Sequence, residues 1–97
     1  MYNVMTDQEF LRLKQAVQNE SFSDDQLRVA RLAAQNKRMK VSQIKEVAGL
    51  FTFSKPQLDF AKAAYNNCVD KQNYYEVMDV FTFSSDKRKL EEYISQQ

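Results

Sequence analysis

Histidine is absent from this 97-residue sequence, and cysteine, glycine and proline each occur once. Without histidine the chain cannot build a Ser-His-Asp or Cys-His nucleophile, and it lacks the commonest side-chain ligand of transition metals. The single cysteine, Cys68, cannot form a disulfide within the chain and excludes a zinc site made of several cysteines. We therefore expect no catalytic site of these kinds, no metal and no cofactor, and we interpret Cys68 as a small, partly buried side chain.

One glycine and one proline also argue against a turn-rich all-β fold, because nothing interrupts the chain often enough to separate many short strands. The length suits one domain, residues 1–97, with a modest core. Fourteen basic and thirteen acidic residues leave a net charge of +1. The sequence therefore predicts no nucleic-acid binding. It also predicts no membrane insertion, since no window approaches the roughly 18 apolar residues of a spanning helix, and its first residues do not resemble a signal peptide.

Hydrophobic periodicity predicts six short helices, each with a polar capping residue at its start. The clearest start is the segment 6–9, where Thr6 can cap the helix and Glu9 can reach back to it. The other predicted caps are Ser23, Ser42, Ser54, Asp70, and Ser84 or Ser85. We expect an all-α fold, a compact bundle of about six helices.

The phrase Phe-Thr-Phe-Ser occurs twice, at residues 51–54 and 81–84. The helical patterns around the two copies match at offsets of 30 or 31 residues. The sequence therefore predicts two tandem helix-loop-helix units, residues 22–52 and 53–82. Half-units over residues 5–21 and 83–97 are expected to repeat only the first helix.

The repeated phrase is interpreted as the joint between units. Phe51 ends the inner face of one helix, and Phe53 precedes the cap Ser54, which is the position of a hydrophobic staple. The same roles fall in the second copy to Phe81, Phe83 and Ser84. Both rings of a corner are expected to be buried, so Phe53→Ala or Phe83→Ala should cost about 3–5 kcal/mol.

Tyrosines supply the candidates for an interaction surface. Tyr65 and Tyr74 fall on the apolar stripe of their helices and are predicted to be core or partly buried residues. Tyr75 is out of phase with that stripe, and with Tyr2 it is the best candidate for an exposed aromatic that contacts a partner. A partly buried Tyr75 ring that needs no partner is the alternative.

The segment 70–76 has some features of a calcium loop, but it lacks the glycine and the ligand spacing of an EF-hand. We interpret Asp70 as a helix cap that accepts amide hydrogens and Asn73 as a brace for the first turn. The basic runs 37–40 and 87–89 lack interleaved aromatic residues, so they are interpreted as solvated surface.

Three blocks of the sequence resemble a known family. They are the Ala61-Lys62-x-Ala64-Tyr65 block, the Asp70-x-x-Asn73-Tyr74 block and the paired Phe-x-Phe-Ser corners. Together, over about residues 5–94, they resemble the family called domain of unknown function 4476. The resemblance implies no catalytic residues, because none is established for the family. It implies a module that is often the C-terminal part of an exported protein in bacteria of the Bacteroides and Flavobacterium type.

These features favour a non-enzymatic interaction or structural module, which binds another protein or a neighbouring domain within a larger exported bacterial protein. The alternative is a small envelope-associated enzyme, with a site made of Lys62, Tyr65 and Asp70. A six-helix adaptor of the death-fold type is a third interpretation, and the internal repeat argues against it. The oligomeric state is left open.

Overall fold

The computed structural model describes residues 4–97, which contain five α-helices and one 3₁₀ helix. In chain order these are α1 (Asp7–Asn19), α2 (Ser23–Asn36), α3 (Val41–Ala48), α4 (Ser54–Tyr65), the 3₁₀ helix (Lys71–Val80) and α5 (Ser84–Ser95). The prediction of a compact all-α bundle of about six helices is confirmed. The candidate Tyr2 lies outside the described residues.

Three short extended segments hold the starts of α1, α3 and the 3₁₀ helix side by side. The amide of Met5 donates to the carbonyl of Arg38 at 2.8 Å, and the amide of Val69 donates to the carbonyl of Met39 at 3.0 Å. The residues bridged in parallel are Val4 with Arg38 and Met39 with Cys68. These three helices therefore begin at the same end of the bundle and run in the same direction. We call this end the paired end. Helices α2, α4 and α5 run in the opposite direction, toward the paired end.

The same three helices bury apolar side chains at the same sequence distances from their N-cap residues. These N-cap residues are Thr6, Lys40 and Asp70. The buried residues are Phe10, Ile44 and Tyr74 four residues on, Leu13, Val47 and Val77 seven residues on, and Val17, Phe51 and Phe81 eleven residues on. In the other layer, α4 packs between α2 and α5. The bundle is 18 Å across its thinnest dimension, about two helix diameters. The unit boundaries 22–52 and 53–82, with half-units 5–21 and 83–97, stay a prediction.

The fifth helix is a 3₁₀ helix, although the sequence pattern favoured an α-helix. Tyr74 and Val77 are buried and Val80 is partly buried, so the inward positions are three residues apart. Phe10, Leu13 and Ala16 in α1 have the same spacing, so the spacing alone does not select a 3₁₀ helix. In a 3₁₀ helix, which has three residues per turn, these side chains lie in one line. Asn, Tyr, Val and Asp, which make up much of this segment, are only moderate α-helix formers.

The Phe-Thr-Phe-Ser corners differ from the predicted staple. Phe51 and Phe81 are buried, at 3% and 4% exposure, but Phe53 and Phe83 are 62% and 60% exposed. The chain bends at the threonine between the two rings, so the second ring turns away from the core. Phe51 fills the inner position alone and packs against Phe60 with ring centres 6.0 Å apart. The prediction that Phe53 and Phe83 are buried staple residues is wrong.

The predicted caps Ser54 and Ser84 are also wrong, because their helices begin one residue earlier. The carbonyl of Phe53 accepts the amide of Gln57, and that of Phe83 accepts the amide of Lys87, both at 3.4 Å. Each serine therefore lies inside the first turn, and neither helix has a side-chain cap hydrogen bond. The capping box of Thr6 and Glu9 is present in the structure, with hydrogen bonds of 2.9 and 3.1 Å.

We predict that the two rings of one corner differ sharply in their effect on stability. Phe51→Ala removes a buried ring and should lower the free energy of unfolding by about 3–5 kcal/mol. Phe53→Ala changes an exposed ring and should alter it by no more than about 0.5 kcal/mol. Urea unfolding followed by circular dichroism measures both. Equal losses in the two variants would contradict the described corner.

Candidate functional site

Three large aromatic side chains are exposed at equivalent places in the fold. Phe22, Phe53 and Phe83 are 71%, 62% and 60% exposed, and each is the residue that caps its helix, α2, α4 or α5. These helices begin at the end of the bundle opposite the paired end. Since α4 lies between α2 and α5, Phe53 lies between the other two rings. We call Phe22, Phe53 and Phe83 the phenylalanine edge.

This surface was not predicted from the sequence. The two copies of the phrase place Phe53 and Phe83 in equivalent positions, and Phe22 followed by Ser23 is a weaker match to Phe53 followed by Ser54. Recurrence before three helix starts was the available signal. It could not show whether the recurring ring points inward or outward, because that depends on the bend at the preceding residue.

A groove of about 380 Å³ lies between the 3₁₀ helix and α5. Tyr75 lines this groove and is 68% exposed. The rest of the lining includes the apolar residues Tyr65, Met78 and Ile94 and the charged residues Lys71 and Glu91. The role of Tyr75 in an interface stays a prediction. A larger depression of about 580 Å³ is lined only by residues of the outer face of α2, so it is an open helix surface rather than a binding cavity.

Tyr74 supports the floor of this groove. Its hydroxyl donates to the carbonyl of Ala61, and burial raises the pKa of Tyr74 well above its ordinary value. The Tyr65 ring meets the Tyr74 ring edge to face, with centres 4.9 Å apart. The ammonium of Lys71 lies 5.6 Å from the centre of the Tyr65 ring, within the range of a cation–π contact. Both tyrosines thus serve packing.

Asp70 is the N-cap residue of the 3₁₀ helix, as predicted, but its carboxylate makes no capping hydrogen bond there and instead caps α3. Its Oδ1 accepts the amide of Val41 at 2.8 Å, at the start of α3, where Ser42 was expected to cap. Asn73 donates to the other oxygen at 3.3 Å. Burial by itself would raise the pKa of Asp70, but hydrogen bonds from Val41, Asn73 and Cys68 outweigh it and hold the pKa below its ordinary value. The carboxylate therefore joins α3 to the segment before the 3₁₀ helix.

The residues of the alternative enzyme site have separate partners. Lys62 lies 5.9 Å from the Tyr93 ring, Tyr65 contacts Tyr74 and Lys71, and Asp70 binds the Val41 amide. No hydrogen bond joins any two of the three predicted residues. Across residues 4–97, no group of three or more Cys, Asp or Glu side chains is arranged to hold a metal ion. The same range contains no helix long and apolar enough to cross a membrane.

Comparison with protein-family models assigns the chain to a family. Residues 4–94 match the model described as Domain of unknown function (DUF4476). The chain belongs to this family. The resemblance seen in the Ala-Lys-x-Ala-Tyr block, the Asp-x-x-Asn-Tyr block and the Phe-x-Phe-Ser corners is thereby confirmed. Searches of curated proteins and of solved structures found no match to this DUF4476 chain.

We predict that Asp70 stabilises the fold in a pH-dependent way. Asp70→Ala removes the acceptor of a buried amide and should lower the free energy of unfolding by about 1–3 kcal/mol, while Asp70→Asn keeps an acceptor and should lose less. The folded pKa lies below the ordinary value of 3.8. The charge therefore stabilises fully above the unfolded pKa, and this contribution is lost as the pH falls through the folded pKa.

Urea unfolding of the wild type and Asp70→Asn between about pH 2 and pH 7 measures that contribution. The difference in stability should be constant at neutral pH and disappear in acid. A difference that grows on acidification would contradict the assigned role of the carboxylate.

We predict that Cys68 is unreactive in the folded protein. The residue is 1% exposed, and burial raises the pKa of its thiol to about 11, so little thiolate is present at neutral pH. Its Sγ donates to Oδ1 of Asp70 at 3.5 Å. Iodoacetamide labelling followed by mass spectrometry should show slow modification of the native protein and rapid modification in guanidinium chloride. Equal rates in the two conditions would show that the thiol is accessible.

Proposed function

We propose that this DUF4476 chain is a non-enzymatic protein-interaction module and that the phenylalanine edge is its binding surface. The observation that carries the proposal is the exposure of Phe22, Phe53 and Phe83 at one end of the bundle. One exposed apolar side chain needs no explanation. Three exposed rings at equivalent helix starts together leave roughly 400 Å² of surface in water, comparable to the largest apolar patch of a typical small protein, which is often functional.

The scaffold supports these rings rigidly. Phe53 and Phe83 each follow, two residues on, a buried phenylalanine that fixes the corner to the core. The backbone of each exposed ring also begins a helix that packs against its neighbours. Side chains held on such a frame lose little backbone freedom when a partner binds, which favours affinity.

We also infer how the chain forms this edge. Buried residues recur at equal distances from the N-caps of α1, α3 and the 3₁₀ helix, so we group these three helices as the first helix of each repeat unit. The repeat units are then α1 with α2, α3 with α4, and the 3₁₀ helix with α5. This frame is shifted by one helix from the units expected from the sequence. In it every pair contributes one exposed phenylalanine, placed where its first helix meets its second.

The setting that we propose is the one expected from the sequence resemblance. A module within a larger exported bacterial protein, which binds a neighbouring domain or a separate protein, fits a rigid bundle with one aromatic edge. The groove beside Tyr75 is the second surface on which a partner could be sought. An envelope enzyme that uses Lys62, Tyr65 and Asp70 has less support, since these side chains have separate partners.

We predict that polar substitution of the edge abolishes partner binding without unfolding the domain. The test is affinity capture with the native full-length protein, followed by mass spectrometry. A protein retained by the wild type should be lost when Phe22, Phe53 and Phe83 are all changed to Ser. Leu32→Ser is the matched control, because Leu32 is 60% exposed but lies on α2 away from the edge.

The melting curve of each variant checks that the fold is intact. Retention of the same partner by the triple variant would contradict the proposed surface. If the partner is instead lost with Tyr75→Ala, the groove rather than the phenylalanine edge is the binding site.

A further inference from the structure

The charges beside the phenylalanine edge differ in sign from one end to the other. Asp24 and Asp25 lie in the first turn of α2, next to the ring at that end. Lys87 and Arg88 lie in the first half of α5, next to the ring at the other end. At the middle ring, the charge of Lys55 is balanced by Asp59, 3.0 Å away in the same helix. The edge therefore runs from an acidic end through a balanced middle to a basic end.

Neighbouring charges reduce this asymmetry without reversing it. Arg28 pairs with Asp25 at 3.4 Å, which leaves Asp24 as the carboxylate that faces solvent without a close cation. Near the basic end, Asp79 pairs with Lys45 at 3.5 Å. Asp86, in the first turn of α5, subtracts one charge from those of Lys87 and Arg88, which leaves this end net positive.

We propose that a second copy of this chain covers the phenylalanine edge, related to the first by a two-fold axis that passes beside Phe53. This inference rests on the proposed function, because it identifies the partner of the same surface. A two-fold rotation about the middle ring places Phe22 of one copy against Phe83 of the second. It also places the acidic end of each copy against the basic end of the other. Such self-complementarity is what a two-fold interface requires.

The dimensions of the edge predict a weak dimer. The bundle measures 35 × 32 × 18 Å, so an edge face offers roughly 600 Å² per copy, below the roughly 800 Å² of a standard stable interface. The three rings supply the apolar centre, and the charges lie at the rim. Rim charges are screened by salt, so the association should weaken as ionic strength rises.

Sedimentation velocity on the full chain tests the proposal over concentrations from about 10 µM to about 1 mM, which span a weak interface. In low salt the wild type should shift from monomer to dimer over this range. Phe53→Ser should abolish the shift. Asp24→Lys with Asp25→Lys, or Lys87→Glu with Arg88→Glu, should raise the dissociation constant by about tenfold or more, because like charges then face each other at both ends.

Mixing the two charge variants is the most specific test of the charge complementarity. In a heterodimer each reversed end meets an end of opposite charge, so association should return when the two variants are mixed in equal amounts. Glu92→Lys is the control, since it reverses an exposed charge of α5 away from both the edge and the groove and should leave the dimer intact.

The two proposals fail in different ways. A wild type that stays monomeric throughout, a dimer that survives Phe53→Ser, or a charge-variant mixture that stays monomeric overturns the second-copy proposal. If the wild type stays monomeric but a different protein is captured through the phenylalanine edge, the proposed function stands with another partner. If the dimer forms and nothing else is captured, self-association is the interaction that the edge supports.

Discussion

The fold depends on the parallel pairing of three extended segments, which fixes where three of the six helices in residues 4–97 begin. None of these six helices exceeds 14 residues, a length at which an isolated helix is marginal in water. Backbone hydrogen bonds from Met5 to Arg38 and from Val69 to Met39 hold the segments together. Two side chains extend this pairing. Gln43 donates to the carbonyl of Met5 at 3.1 Å, and Asp70 accepts the amide of Val41.

This constraint determines the opposite end of the bundle as well. Because the three helices start together and run in the same direction, their corners gather at the far end. Each Phe-Thr-Phe corner then serves two purposes. The first ring closes the core, and the second is left in water at the start of the next helix. A surface of three aligned rings is therefore a consequence of the pairing together with a recurring sequence.

Much of the fold could be predicted from local sequence. Thr6 and Glu9 form a capping box because its partners are three residues apart, and the helical stripes gave the helix count and the burial of Phe51 and Phe81. What failed depended on the backbone path or on distant contacts. The exposure of Phe53 follows from a bend, and the capping of α3 by Asp70 joins groups 29 residues apart. The spacing of inward residues gave no signal for the 3₁₀ form of the fifth helix, because α1 has the same spacing.

The candidate site was less predictable than the fold for the same reason. The sequence showed that Phe53 and Phe83 recur, but assigned the recurrence to packing, since a staple explains an apolar residue before a cap equally well. Tyr75 was picked out correctly as out of phase with its stripe, because phase within one helix is a local property. In each Phe-Thr-Phe-Ser corner the first phenylalanine is buried and the second, two residues later, is exposed.

The most direct test of this account is the solvent accessibility of individual phenylalanine rings in a dilute sample. Proton NMR with a soluble nitroxide measures it, because the nitroxide attenuates the signals of exposed ring protons. The account predicts strong attenuation for Phe22, Phe53 and Phe83 and little for Phe51, Phe60 and Phe81. Protection of Phe53 and Phe83 to the same degree as Phe51 would contradict it.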